Sequence, residues 1–107
     1  MKFVNRGYLL VRPTKQFVKW ANSTEPEFEM NEDFLEGNIY LIEEDFLEPE
    51  PIIESNFKKI LKNELESVTD NEELWPEKLN VEIFEQFFTV EVGNMVFDLQ
   101  KTDLLRE

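Results

Sequence analysis

The chain contains no cysteine and no histidine, and it has only three glycines. It therefore has no disulfide, no thiolate or imidazole metal ligand, and no Ser-His-Asp or Cys-His catalytic arrangement. The glycines match neither a Walker loop nor a dinucleotide-binding fingerprint. No apolar run approaches the ~20 residues of a membrane span, and the apolar run after Lys2 is too short for a signal peptide. We therefore expect a cytoplasmic, non-membrane protein that has no cofactor and is not an enzyme.

Basic residues are scarce and unevenly placed. The net charge is −13, yet residues 1–24 hold five basic side chains and no acidic one. Residues 25–107 hold all 24 acidic residues with six basic ones, and no basic residue lies between Lys19 and Lys58. Such a charge disfavours direct binding to nucleic acid or to an anionic membrane, and it favours a basic protein partner.

Aromatic residues, in contrast, are plentiful. The chain has ten phenylalanines, and 41% of its residues are hydrophobic. Disordered acidic segments are poor in aromatic residues, so this composition predicts a folded core despite the charge. The length of 107 residues is that of one domain. We expect a single compact domain over residues 1–107, with a frayed tail from about residue 101.

In the first half of the chain, the pattern predicts a strand, a helix and a second strand. An apolar run bounded by glycine and proline, Gly7 to Pro13, is typical of a strand. Pro13 suits a helix start, and Phe17, Val18, Trp20 and Ala21 then form an apolar helical stripe. Residues 38–44 predict a second strand, which has apolar residues on both faces and is therefore expected at the centre of the sheet.

In the second half, the pattern predicts two helices and a strand pair. A stripe with helical period predicts a helix over about 52–68, and Asn80 is expected to cap a short helix over 81–88. For residues 88–100 we favour a hairpin that turns at Gly93-Asn94; the alternative is one long strand with a bulge there. The fold class is then α+β, in the order β-α-β-α-α-β-β. We expect a small, mainly antiparallel sheet of three to four strands with two to three helices on one face.

These elements also predict the core, because their apolar faces must meet. The expected core residues are Leu9, Val11, Phe17, Trp20, Leu41, Phe57, Ile60, Leu61, Phe84, Phe87, Val90 and Phe97.

Several segments together resemble a set of small acidic bacterial proteins to which no activity is attached. The resemblance lies in "GYLLVRP" and "FVKWAN" near the start, "IYLI" in the middle, and "LWP", "FEQFFTVEV" and "MVFDL" towards the end. It covers most of the chain and implies one compact domain. It implies no function.

The favoured function is a non-catalytic interaction module, such as an adaptor, an inhibitor or an immunity-type protein, that docks a basic partner on an acidic surface. Residues 25–54 hold twelve acids and no base, and tryptophan is common among the anchors of interfaces. The candidate interaction residues are Glu27, Glu29, Glu32, Asp33, Glu36, Glu44, Asp45, Glu48, Glu50 and Trp75.

The alternative function is a small-molecule-binding domain or a carboxylate-based enzyme. Arg12 ends an apolar strand next to a helix start, where an anion could bind. The candidate ligand site combines Arg12 with Lys15, Tyr8 and Tyr40. The competing explanation for Arg12 is an internal ion pair, which the many carboxylates of the chain favour.

Overall fold

The structure of the protein is a computed structural model, and it describes residues 1–25 and 36–106. It has the predicted α+β architecture, with helices on one face of an antiparallel sheet. In chain order the elements are β1 (Lys2–Val4), β2 (Gly7–Pro13), α1 (Lys15–Thr24), β3 (Asn38–Ile42), α2 (Pro49–Glu66), a 3-10 turn (Glu72–Leu74), α3 (Val81–Phe87), β4 (Phe88–Gly93) and β5 (Val96–Asp98).

Strand β2 lies at the centre of a three-stranded sheet, with β3 and β4 antiparallel on either side. Leu9 lies opposite Tyr40 of β3 and opposite Val92 of β4. The predicted central position of the second strand is therefore wrong, because β3 pairs only with β2 among the described strands. Apolar residues on both faces of β3 arise because Tyr40 and Ile42 point to the helices while Ile39 and Leu41 stay exposed.

The hairpin expected at Gly93-Asn94 is not formed. Strand β4 pairs with β2, whereas β5 pairs with β1. The two C-terminal strands therefore run antiparallel beside the two N-terminal strands, with a break between the two pairs. A two-residue hairpin turn of the expected kind needs positive φ, and neither Gly93 nor Asn94 has it. The alternative, one long strand interrupted at this point, describes the topology better.

The core lies between the three-stranded sheet and the helices. Leu9 and Val11 point into it from β2 and are at most 1% exposed. The ring of Phe17 on α1 lies 4.9 Å from that of Phe88, and the Phe84 and Phe88 rings lie 5.6 Å apart. Apolar side chains from all three helices thus meet over the sheet.

Most of the predicted core is confirmed, and two members are wrong. Leu41 and Phe97 are both 52% exposed. Leu41 lies on the face of the sheet opposite the helices, and Phe97 pairs with Phe3 in the two-stranded part. Trp20, Phe57 and Val90 are half-buried and pack against the core. The predicted core residues that are buried are Leu9, Val11, Phe17, Ile60, Leu61, Phe84 and Phe87.

Helix bounds follow from local capping. Helix α2 begins at Pro49, three residues before the predicted start, because proline is accepted in the first turn of a helix. Helix α3 begins after Asn80, whose side-chain oxygen accepts a hydrogen bond from the Ile83 backbone N–H at 3.0 Å. This confirms the predicted cap.

Candidate protein-binding surface

Four of the five described acidic candidates lie in one continuous segment that runs from the end of β3 into the first turn of α2. Residues 43–50, the acidic segment, carry five exposed carboxylates and no basic side chain: Glu43, Glu44, Asp45, Glu48 and Glu50. Glu36 is also exposed but precedes β3, at its other end. The remaining acidic candidates, Glu27, Glu29, Glu32 and Asp33, lie outside the described residues.

The acidic segment also presents apolar side chains. Leu47 is 100% exposed, and its neighbour Phe46 packs against the core. A cavity of about 440 Å³ lies along the segment and is lined by Phe46, Leu47, Pro51 and three carboxylates. An exposed leucine among carboxylates combines an apolar contact with a field that attracts cations.

A groove between α2 and α3 combines an apolar floor with a charged rim. It has a volume of about 630 Å³. Its floor is formed by four half-buried apolar side chains, namely Ile53, Phe57, Leu79 and Val81. The rings of Phe57 and Phe84 lie 6.1 Å apart and join the two helices beneath it. We call this site the α2–α3 groove.

The rim of the α2–α3 groove is acidic. It carries four exposed glutamates, Glu50, Glu54, Glu82 and Glu85, with one lysine, Lys58. The glutamates stand four apart on α2 and three apart on α3, so each pair lies on one side of its helix. Carboxylates thus border an apolar floor on both sides. Glu50 also belongs to the acidic segment, so the groove and the segment form one continuous surface.

Trp75, the predicted exposed anchor, is not part of this surface. It is half-buried against the core, and its indole N–H donates to the Thr69 carbonyl oxygen at 3.0 Å. Trp20 is held similarly, since its indole N–H donates to the Leu74 carbonyl at 3.2 Å. Both indole N–H groups therefore bond to the link between α2 and α3. The role of Trp75 as an anchor stays a prediction.

The alternative ligand residues are not brought together. Tyr8 and Arg12 point to the side of the sheet opposite the helices, whereas Tyr40 points towards α2. Lys15 is exposed at the start of α1. The Arg12 guanidinium Nε lies 4.0 Å from a carboxylate oxygen of Glu91, and both side chains are largely exposed. Arg12 lies outside the α2–α3 groove and outside the cavity along the acidic segment.

Tyr40 instead belongs to a polar cluster that the sequence prediction missed. Glu64 of α2 is only 6% exposed, and its carboxylate accepts hydrogen bonds from the Asn38 side chain at 2.9 and 3.1 Å and from the Tyr40 hydroxyl at 2.8 Å. Asn63 donates to the same hydroxyl at 2.9 Å. The cluster joins β3 to α2. Its signal was present, because Glu64 stands three residues after Leu61 and four after Ile60, inside the apolar stripe.

The cluster shifts the ionisation of Tyr40. Burial of the phenol raises the pKa of Tyr40 well above its usual range, and the adjacent Glu64 carboxylate adds to the rise. The hydrogen bond from Asn63 acts in the opposite direction but is outweighed. The phenol is therefore held in its neutral, hydrogen-bond-donating form.

Across residues 1–25 and 36–106, no group of three or more carboxylates has the arrangement of a metal site. No helix in the same part of the chain is long and apolar enough to cross a membrane. Comparison of the chain with protein-family models, curated proteins and solved structures found no match in any of the three. The resemblance to small acidic bacterial proteins therefore stays a prediction.

Proposed function

We propose that the protein is a non-catalytic interaction module that binds a basic protein partner. The supporting observation is the α2–α3 groove, whose apolar floor is bordered by four glutamates and one lysine. The binding surface extends from this groove onto the acidic segment. A chain without cysteine needs no oxidising compartment, and the cytoplasm is the compartment we propose for this interaction.

The chemistry of the surface defines the partner. Apolar side chains of the partner fill the groove and release water from its floor, which supplies most of the affinity. Lysine or arginine side chains beside them meet the glutamates, which speeds association and fixes the orientation. An amphipathic helix with one apolar face and basic flanks has this combination, and docking of such helices into grooves is a common recognition mode.

A labelled model peptide tests this proposal. The probe is a helical peptide of leucine and lysine spaced to be amphipathic, and its binding is followed by fluorescence anisotropy at low and high salt. Two comparison peptides separate shape from charge: a scrambled isomer without an apolar face, and a leucine-glutamate version. We expect the amphipathic cationic peptide to bind best, with an affinity that falls as salt rises.

Matched charge reversals locate the site. The double substitution Glu54→Lys with Glu82→Lys reverses the rim, whereas Glu72→Lys with Glu73→Lys makes the same net change on the 3-10 turn, away from the groove. We expect the first pair to weaken binding of the cationic peptide by roughly tenfold more than the second. Equal effects would mean that net charge alone binds the peptide. No effect of either would mean that the groove is not the site.

A further inference from the structure

The face of the three-stranded sheet opposite the helices is uncovered in the described chain. Side chains alternate along a strand, and the register of β2 with its neighbours shows which of them share this face. We call it the open face; its members are Tyr8, Leu10, Arg12, Ile39, Leu41, Thr89, Glu91 and Gly93.

The centre of the open face is apolar. Tyr8 lies opposite Leu41, and Leu10 lies opposite Ile39, so four apolar side chains form a block across two strands. Ile39 is 64% and Leu41 is 52% exposed, whereas the side chains of Leu9 and Val11 on the other face of β2 are buried. Tyr8 and Leu10 are half-buried beside these two exposed side chains. Contiguous apolar patches that reach the surface are typical of protein interaction sites.

The charges on the open face are balanced, unlike those of the whole chain. Arg12 and Glu91 stand side by side with their charged groups 4.0 Å apart, while the whole chain carries −13. A strongly basic partner would meet one carboxylate here, and an acidic partner would meet one guanidinium. A surface that is apolar at its centre and carries one cation beside one anion can complement a copy of itself, when the two-fold axis is placed so that the cation of each copy faces the anion of the other.

We propose that the open face binds a second copy of this chain, face to face, about a two-fold axis. Packed sheets lie roughly 10 Å apart, and the apolar blocks of the two copies interdigitate at that spacing. The helices of both copies then point outwards. The α2–α3 groove lies on the helix side and stays accessible in the dimer, so this self-association does not depend on the function proposed above.

Sedimentation velocity and light scattering over a range of protein concentrations test the dimer. We expect a species of twice the chain mass of 12.8 kDa, with moderate salt favouring it because salt screens the repulsion between two acidic chains. Leu41→Lys should weaken the dimer by roughly tenfold or more, and Ile39→Lys should act in the same way. Leu47→Lys is the matched control, since Leu47 is 100% exposed and lies outside the sheet. Circular dichroism confirms that each variant is folded.

A charge exchange provides a second, independent readout. Arg12→Glu places like charges across the two-fold axis and should weaken the dimer, whereas Arg12→Glu combined with Glu91→Arg restores the complementary pattern and should recover it. A monomer at every concentration would overturn the proposal. A dimer that withstands Leu41→Lys, Ile39→Lys and Arg12→Glu would overturn it equally, because its interface would then lie on another surface.

Discussion

Glu64 is a charged side chain in an apolar environment, and its hydrogen-bond partners are all neutral. Asn38 and Tyr40 both donate to its carboxylate, so the carboxylate is solvated by side chains of the neighbouring strand. Buried carboxylates are tolerated when their oxygens accept hydrogen bonds. The arrangement links one position of α2 to β3, because the Glu64 carboxylate accepts from both Asn38 and Tyr40.

Replacement of Glu64 tests this role. Glu64→Ala leaves the Asn38 and Tyr40 donors without their acceptor, and we expect a loss of roughly 1–3 kcal/mol in the free energy of unfolding. Glu66→Ala is the control on the same helix, where the side chain is exposed, and should change stability by less than about 0.5 kcal/mol. Urea unfolding of the two variants measures both values. Equal losses of unfolding free energy in the two variants would show that the hydrogen bonds from Asn38 and Tyr40 to Glu64 add no stability.

The raised pKa of Tyr40 leads to a dependence of stability on alkaline pH. The folded state holds the phenolic proton more tightly than the unfolded chain does. Below about pH 10 the phenol is protonated in both states, so it gives the free energy of unfolding no dependence on pH. As the pH rises above 10, the unfolded chain ionises first and stability falls. The free energy of unfolding, measured by chemical denaturation between pH 9 and 11, should therefore decrease as the pH rises above 10. The Tyr40→Phe substitution should make this decrease smaller. An unchanged slope in the variant would assign the pH dependence to other groups.

The residue patterns predicted the buried apolar side chains better than the buried polar ones. Leu61, Phe84 and Phe17 were expected inside because they occupy apolar helical stripes, and they are at most 2% exposed. Glu64 shares the stripe of Leu61, but a glutamate there is stable only if donors face it. Those donors come from β3, far away in sequence, so the pattern of α2 alone could not reveal them.

At the scale of elements, Gly93 determines how β4 runs beside β2. Its Cα lies under the ring of Tyr8, its cross-strand neighbour, and a Cβ there would overlap that ring. The φ angle of Gly93 is not positive, so the glycine is required for space and not for an unusual backbone conformation. The aromatic ring in turn covers the backbone where β4 ends.

Gly93→Ala should therefore destabilise the strand pair. We expect a cost of roughly 1–3 kcal/mol, because the ring of Tyr8 must move to admit the methyl group. In the Tyr8→Ala background the same substitution should cost less, since the overlapping ring is gone. Thermal or urea unfolding of the four proteins of this cycle measures the coupling. Equal costs in the two backgrounds would place the strain elsewhere in the strand.

The hairpin prediction failed for a reason that also belongs to this scale. Gly93-Asn94 between alternating apolar residues is a strong local hairpin signal. Pairing of β4 with β2 instead places Val90 and Val92 beside Val11 and Leu9 and packs them against the core. Burial in the core favoured the distant partner strand over the neighbouring one, and a local pattern carries no information about that competition.

At the scale of the whole molecule, we expect repulsion between acidic side chains to exceed attraction, because the net charge is −13. The ion pairs found among the described residues are Lys2 with Asp103 and Arg12 with Glu91, and all four side chains are exposed. Exposed pairs of this kind contribute little to stability. The net charge of −13, in contrast, acts against the compact state.

Moderate salt should therefore stabilise the fold. Raising the ionic strength from about 0.01 M to about 0.1 M shortens the Debye length from roughly 30 Å to roughly 10 Å and screens the repulsion. We expect the melting temperature to rise by several degrees, since 1 kcal/mol corresponds to roughly 4–8 °C in a domain of this size. The Glu72→Lys, Glu73→Lys variant, which is less negative, should gain less. A midpoint that falls with added sodium chloride would show that attractive pairs dominate.

The central position of β2 has a consequence for the order in which the molecule can assemble. Its neighbour β4 lies near the other end of the chain, so a growing polypeptide carries the middle strand long before one of its two flanking strands exists. Contacts between such distant segments require closure of a long loop, which makes folding slower than in proteins built from local contacts. Until β4 arrives, the apolar edge of β2 is open to other chains. A nascent or truncated form that stops before β4 is therefore the state of this protein most exposed to aggregation.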